Sequence, residues 1–100
     1  MNNENKQDQQ IQVKITDEVL KGVYANTMQV THSPDEFVLD FMNIFPASGV
    51  GIVTSKVIVS PAHYKRVLAA MQQNLKLFED KFGTIKHVDT PEPKIGFKAE

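Results

Sequence analysis

Ile11-Gln12-Val13-Lys14-Ile15-Thr16 alternates strictly, apolar at odd positions and polar at even ones. This is the pattern of a strand with one buried face. Asp17 and Gly22 bracket a short connection, and Val23 to Thr31 predicts a second strand with Tyr24, Met28 and Val30 on one face. Ala25, Thr27, Gln29 and Thr31 occupy the other, suited to solvent or a sheet edge. His32-Ser33-Pro34-Asp35 predicts a turn, because Pro presets φ and Ser and Asp bond back to the backbone. Phe37 to Phe45 is the most apolar stretch. Phe37, Leu39, Phe41 and Phe45 share one face, Val38, Met42 and Ile44 the opposite one, and Asp40 and Asn43 alone are polar. After the turn Pro46-Ala47-Ser48-Gly49, Val50 to Ser60 predicts a fourth strand with Val, Ile or both on each face. The third and fourth strands thus look like central strands covered on two sides.

The period then changes. Tyr64, Leu68, Met71, Leu75, Phe78 and Phe82 recur at alternating steps of four and three, which is one face of an α-helix. Ser60 is a good N-cap, Pro61 suits the first helical position, and Gly83 suits the left-handed stop after the last turn. The helix is therefore expected over Pro61 to Phe82. The predicted class is α+β: a four-stranded antiparallel meander with one C-terminal amphipathic helix packed on it. Residues 11–83 form the expected single domain. Residues 1–10, almost wholly Asn, Gln, Glu, Asp and Lys, are expected to be a disordered arm. Residues 84–100, with Pro91 and Pro93, are expected to be an extended tail.

One helical stripe covers one sheet face, yet the two most apolar strands are apolar on both. Each large side chain left in water forfeits roughly 1.5–3 kcal/mol, and a whole open face exceeds what soluble monomers tolerate. A homodimer through sheet or helix is the expected remedy, with Val38, Met42 and Ile44 as the candidate dimer or partner face. The competing reading has the tail fold back, with Ile85, Val88, Ile95 and Phe97 covering that surface.

Composition narrows the functional classes. Eleven Lys and Arg against twelve Asp and Glu give a net charge of −1, which argues against binding nucleic acid or anionic membrane by bulk attraction. Without cysteine there is no disulfide, thiolate chemistry or Cys-based zinc site. No apolar run has the length of a membrane span, and the first residues hold no apolar core of a signal peptide, so neither is expected.

Among residues with chemical potential, His32, His63 and His87 show no metal-ligand spacing, and no metal or cofactor is expected. Asp40 interrupts the most apolar strand. It reads either as a general acid or base, or as a carboxylate held by Lys56, Lys65 or Arg66 or set at a dimer rim, with Asn26 and Asn43 able to complete a polar cluster. The structural reading is preferred, because a lone carboxylate without a second acid or a nucleophile is not an active site. No serine lies in a Gly-x-Ser-x-Gly elbow, and Gly49-Val50-Gly51 enters a strand, so it is no dinucleotide fingerprint. His63, Lys65 and Arg66 at the helix start are the candidate anion or nucleic-acid contact. With Lys76, Lys81, Lys86, Lys94 and Lys98 they could line a basic stripe across a dimer, although Glu79, Asp80, Glu92 and Glu100 intervene. Met28, Met42 and Met71 suit irregular docking surfaces. The reading is a non-enzymatic homodimeric binding or scaffolding module, with room for an unidentified protein partner; a nucleic-acid-associated protein is the alternative.

Several segments together carry a resemblance. Gly22-Val23-Tyr24-Ala25-Asn26, Glu36-Phe37-Val38-Leu39-Asp40-Phe41, Val57-Ile58-Val59-Ser60-Pro61-Ala62-His63-Tyr64-Lys65, Asn74-Leu75 and Phe78-Glu79-Asp80-Lys81-Phe82-Gly83-Thr84-Ile85 make residues 11–85 resemble the prokaryotic domain-of-unknown-function family numbered 3467. The resemblance implies a prokaryotic cytoplasmic origin. It supplies no reaction, ligand or catalytic residue.

Overall fold

The computed structural model describes residues 9–86 and Gly96. In chain order the elements are helix α1 (Asp17–Leu20), strands β1 (Thr27–His32), β2 (Phe37–Phe45) and β3 (Val50–Val59), and helix α2 (Pro61–Phe82). The three strands form one antiparallel sheet in the order β1-β2-β3. The described residues divide into two compact units at the Ser60/Pro61 junction, the first holding the sheet and the second α2. The arm over residues 1–10 and the tail over 84–100 lie mostly outside the described residues, as do His87, Val88, Ile95 and Phe97.

The hairpin turns follow from their residues. Between β1 and β2 the Ser33 amide donates to the Glu36 carbonyl at 3.0 Å, and the Asp35 amide donates to Ser33 Oγ at 3.2 Å. Between β2 and β3 the Ser48 and Gly49 amides both donate to the Phe45 carbonyl, at 3.1 and 3.0 Å. Gly49 has φ +70, a conformation that costs side-chain-bearing residues. Gly51 has a different reason: a Cβ there would lie 2.5 Å from Cδ1 of Ile44 across the ladder.

The register places side chains on faces, because antiparallel partners share a side. One face carries Met28, Val30 and His32 of β1, Phe37, Leu39 and Phe41 of β2, and Val57 and Val59 of β3. The other carries Thr27, Gln29 and Thr31, then Val38, Asp40, Met42 and Ile44, then Val53, Lys56 and Ile58. A bulge between Phe41 and Met42 leaves Thr54 of β3 as the extra residue. Its hydroxyl donates to the Phe41 carbonyl at 3.3 Å, which satisfies the acceptor beside the ladder shift.

Two expectations are corrected here. The predicted strand over Ile11 to Thr16 is not formed, and among the described residues the sheet has three strands, not four. Alternation equips a segment to pair but does not by itself bring it to an edge. Instead Thr16 becomes an N-cap. Its Oγ1 accepts from the Val19 amide at 3.3 Å, and Asp17 and Glu18 occupy the first turn of α1, where carboxylates complement the helix dipole. Secondly, β3, which looked central, is an edge strand with most of its residues exposed.

The helix over Pro61–Phe82 has the predicted bounds. The Gly83 amide donates to the Glu79 carbonyl at 2.9 Å with φ +102. The Glu79 carboxylate also accepts from the Ile85 amide at 2.9 Å. Lys76 and Asp80 pair at 2.9 Å one turn apart, and the Phe78 and Phe82 rings lie 5.0 Å apart.

Candidate functional site

The most enclosed polar group is Asp40, at the middle of the central strand and 5% exposed. The register sets it beside Gln29 of β1 and Lys56 of β3, so three polar residues run in one row across the sheet. Lys56 Nζ lies 2.6 Å from Asp40 Oδ1. The carboxylate is nearly closed off while the lysine side chain is about half exposed. Lysine can do this because its aliphatic stem lies along the sheet while its ammonium reaches water. Of the three cations weighed as partners for Asp40, the structure selects Lys56. Gln29 Oε1, also enclosed, accepts no hydrogen bond among the described residues.

Asn26 and Asn43 do other work. Asn26 Nδ2 donates to the Ile44 carbonyl at 3.0 Å, and Asn26 Oδ1 accepts from the Ile44 amide at 2.9 Å. The Thr27 hydroxyl donates to the same oxygen at 3.1 Å. Asn43 Nδ2 donates to the Tyr24 carbonyl at 2.9 Å. The two amides thus imitate ladder hydrogen bonds and tie the entry to β1 onto the end of β2. Asp40 and Asn43 project from opposite faces of β2, so the polar cluster expected from Asp40, Asn26 and Asn43 is divided between a charge pair and a backbone clamp.

Of the candidate docking residues, Val38 and Ile44 are half-buried, but Met42 is only 2% exposed. That position is filled within its own chain, so the exposed apolar surface lies elsewhere. Val50, Ile52, Val53, Val57 and Ile58 of β3 are exposed, as are Leu68, Met71, Leu75, Phe78 and Phe82 of α2. No residue of α2 is buried. Leu39 and Met42 are the only buried hydrophobic side chains among the described residues.

His63, Lys65 and Arg66 lie in the first turns of α2 with exposed side chains. His32 stacks at 5.4 Å from Phe37. Among the described residues no three His, Cys, Asp or Glu side chains converge as metal ligands would, and no helix is long and apolar enough to cross a membrane. Gln29 went unnoticed in the sequence because its importance comes from standing opposite Asp40, which only the register reveals.

No curated protein and no solved structure matches the chain. One family model does, over residues 1–87, and its description is a protein of unknown function. It spans the sheet, α2 and the connections between them, so the chain belongs to the family DUF3467.

Proposed function

We propose that this protein is a non-enzymatic homodimer that serves as a binding or scaffolding module. The observation that carries the reading is the imbalance of burial among the described residues: two buried hydrophobic side chains against an exposed apolar edge strand and an exposed helical stripe. A chain with so small an enclosed core lacks the usual source of stability, since each large apolar side chain withdrawn from water contributes roughly 1.5–3 kcal/mol. A second copy is the simplest source of the missing cover, because one self-complementary patch then serves both chains. Met28 and Met71, both exposed, add adaptable contact surface.

A binding role fits better than catalysis because the one enclosed carboxylate is matched to Lys56 and faces no second acid or nucleophile in its row. The near-neutral charge of −1 also favours protein over nucleic acid as the partner, and a cytoplasmic location accords with the absence of cysteine. Sedimentation velocity at low micromolar concentration tests the assembly. A species of twice the 11.2 kDa chain mass is expected, and a stable folded monomer refutes the reading.

A further inference from the structure

The segment Ile11–Thr16 has no strand partner among the described residues of its own chain, although it keeps the alternation of a strand. Ile11 and Val13 are 85% and 87% exposed, and Ile15 is 57% exposed. Among the described residues the outer edge of β1 is equally unpaired, since β1 meets only β2. The two match in three respects. Both are six residues long. Both alternate, with Met28 and Val30 on the apolar face of β1 and Thr27, Gln29 and Thr31 on the polar one. And Gln29 Oε1 stands enclosed without a donor among the described residues, beside the edge where a new strand would arrive. The other free edge, β3, matches poorly. It carries Val or Ile on both faces and is broken by the bulge at Thr54.

Resting on the two-copy reading, we infer that Ile11–Thr16 of one copy adds to the outer edge of β1 in the second copy, antiparallel, with Ile11 opposite His32 and Thr16 opposite Thr27. This register puts Val13 against Val30 and Ile15 against Met28, extending the apolar face. It puts Lys14 opposite Gln29, where the ammonium supplies the missing donor and extends the polar row through Gln29 and Asp40 to Lys56. Exchange in both directions is two-fold symmetric and closes the dimer. It also covers an edge that would otherwise template unwanted pairing. Thr16 is the natural end of the added strand, because it caps α1.

The absence of native cysteine makes cross-linking a clean test. In the full chain carrying Val13→Cys and Val30→Cys together, the two Cα atoms come within the roughly 4.4–6.8 Å that a disulfide spans. Mild oxidation should yield a covalent dimer on a non-reducing gel, absent from either single variant. An intrachain disulfide, seen as a faster-migrating monomer, overturns the inference, because the strand would then pair within its own chain. No disulfide in a protein that sediments as a dimer also overturns it and leaves the two-copy reading standing. A parent protein that sediments as a monomer removes both. Lys14→Glu supplies a second readout that leaves each chain's own contacts intact. It should raise the dimer dissociation constant by about tenfold or more, as like charge is brought toward Asp40, and an unchanged constant counts against the register.

Discussion

Removing the lysine from the Asp40–Lys56 pair is the sharpest test of how the sheet is held. In Lys56→Met the stem volume is kept and the ammonium is lost. Asp40, 8% exposed at its side chain, must then stay charged without a partner or take up a proton. A fully buried pair that loses one member typically costs about 3–5 kcal/mol. The half-exposed lysine lowers that, and about 2–3 kcal/mol is expected, within the range of hydrogen bonds to charged groups. For a chain of this size each kcal/mol moves the melting midpoint by roughly 4–8 °C, so a fall on the order of 10–20 °C is anticipated. Asp40→Asn should cost less, because an amide carries no charge to strand. The double variant should be more stable than the two single losses summed, by about 1 kcal/mol or more. Thermal and urea unfolding at one fixed protein concentration measure all four proteins, since mass action moves the midpoint of a dimer. A change under about 0.5 kcal/mol in Lys56→Met, or strict additivity in the cycle, would refute the claim that Asp40 depends on Lys56.

Other outcomes follow from the same geometry. Asn26→Ala removes both side-chain bonds to Ile44 and should cost about 1–3 kcal/mol in urea unfolding, with amide exchange accelerated first at Ile44. Gly83→Ala forces a side chain into φ +102 and should lower stability by roughly 1 kcal/mol without changing the assembly. Leu68→Glu with Leu75→Glu should drive the proposed dimer toward monomer in sedimentation, because charge then replaces the exposed stripe of α2. Heparin should fail to retain the protein at about 150 mM salt; retention with a steep salt slope would shift the reading toward the basic residues at the start of α2.

The legible parts of the fold were those whose signals are local. Pro61, the four-and-three stripe and Gly83 mark both ends and one face of α2, and its bounds agree with the structure. Phe37 to Phe45 likewise has the bounds read from the sequence, and β3 ends one residue early, at Val59. Errors arose where pairing decides. Ile11–Thr16 alternates but pairs with neither sheet edge among the described residues. Val23 to Asn26 lies outside β1 because Asn26 and Asn43 replace the ladder there with side-chain bonds. Those contacts link residues 18 and 19 positions apart, and no local pattern encodes them. Helix α1 did carry a local signal, Thr16 before Asp17 and Glu18, but four residues are too few to show a period. At the candidate site, Lys56 was among the anticipated partners of Asp40, whereas Gln29 became visible only through the register.

An ion pair in the middle of an apolar sheet costs desolvation, so its place calls for a reason other than stability. Register supplies one. In β2 the face with Phe37, Leu39 and Phe41 differs from the face with Asp40 chiefly through that carboxylate, since Val38, Met42 and Ile44 are also apolar. Hydrophobic alternation therefore discriminates weakly between the two faces, and a one-residue slip of β2 would be cheap without Asp40. With it, a slip carries the charge onto the side of Leu39 and Val57, away from both Lys56 and Gln29. The several kcal/mol of an uncompensated charge then separates the native pairing from its nearest competitor. The polar row thus acts as a key for strand alignment, and it matters most for a strand that is apolar on both sides.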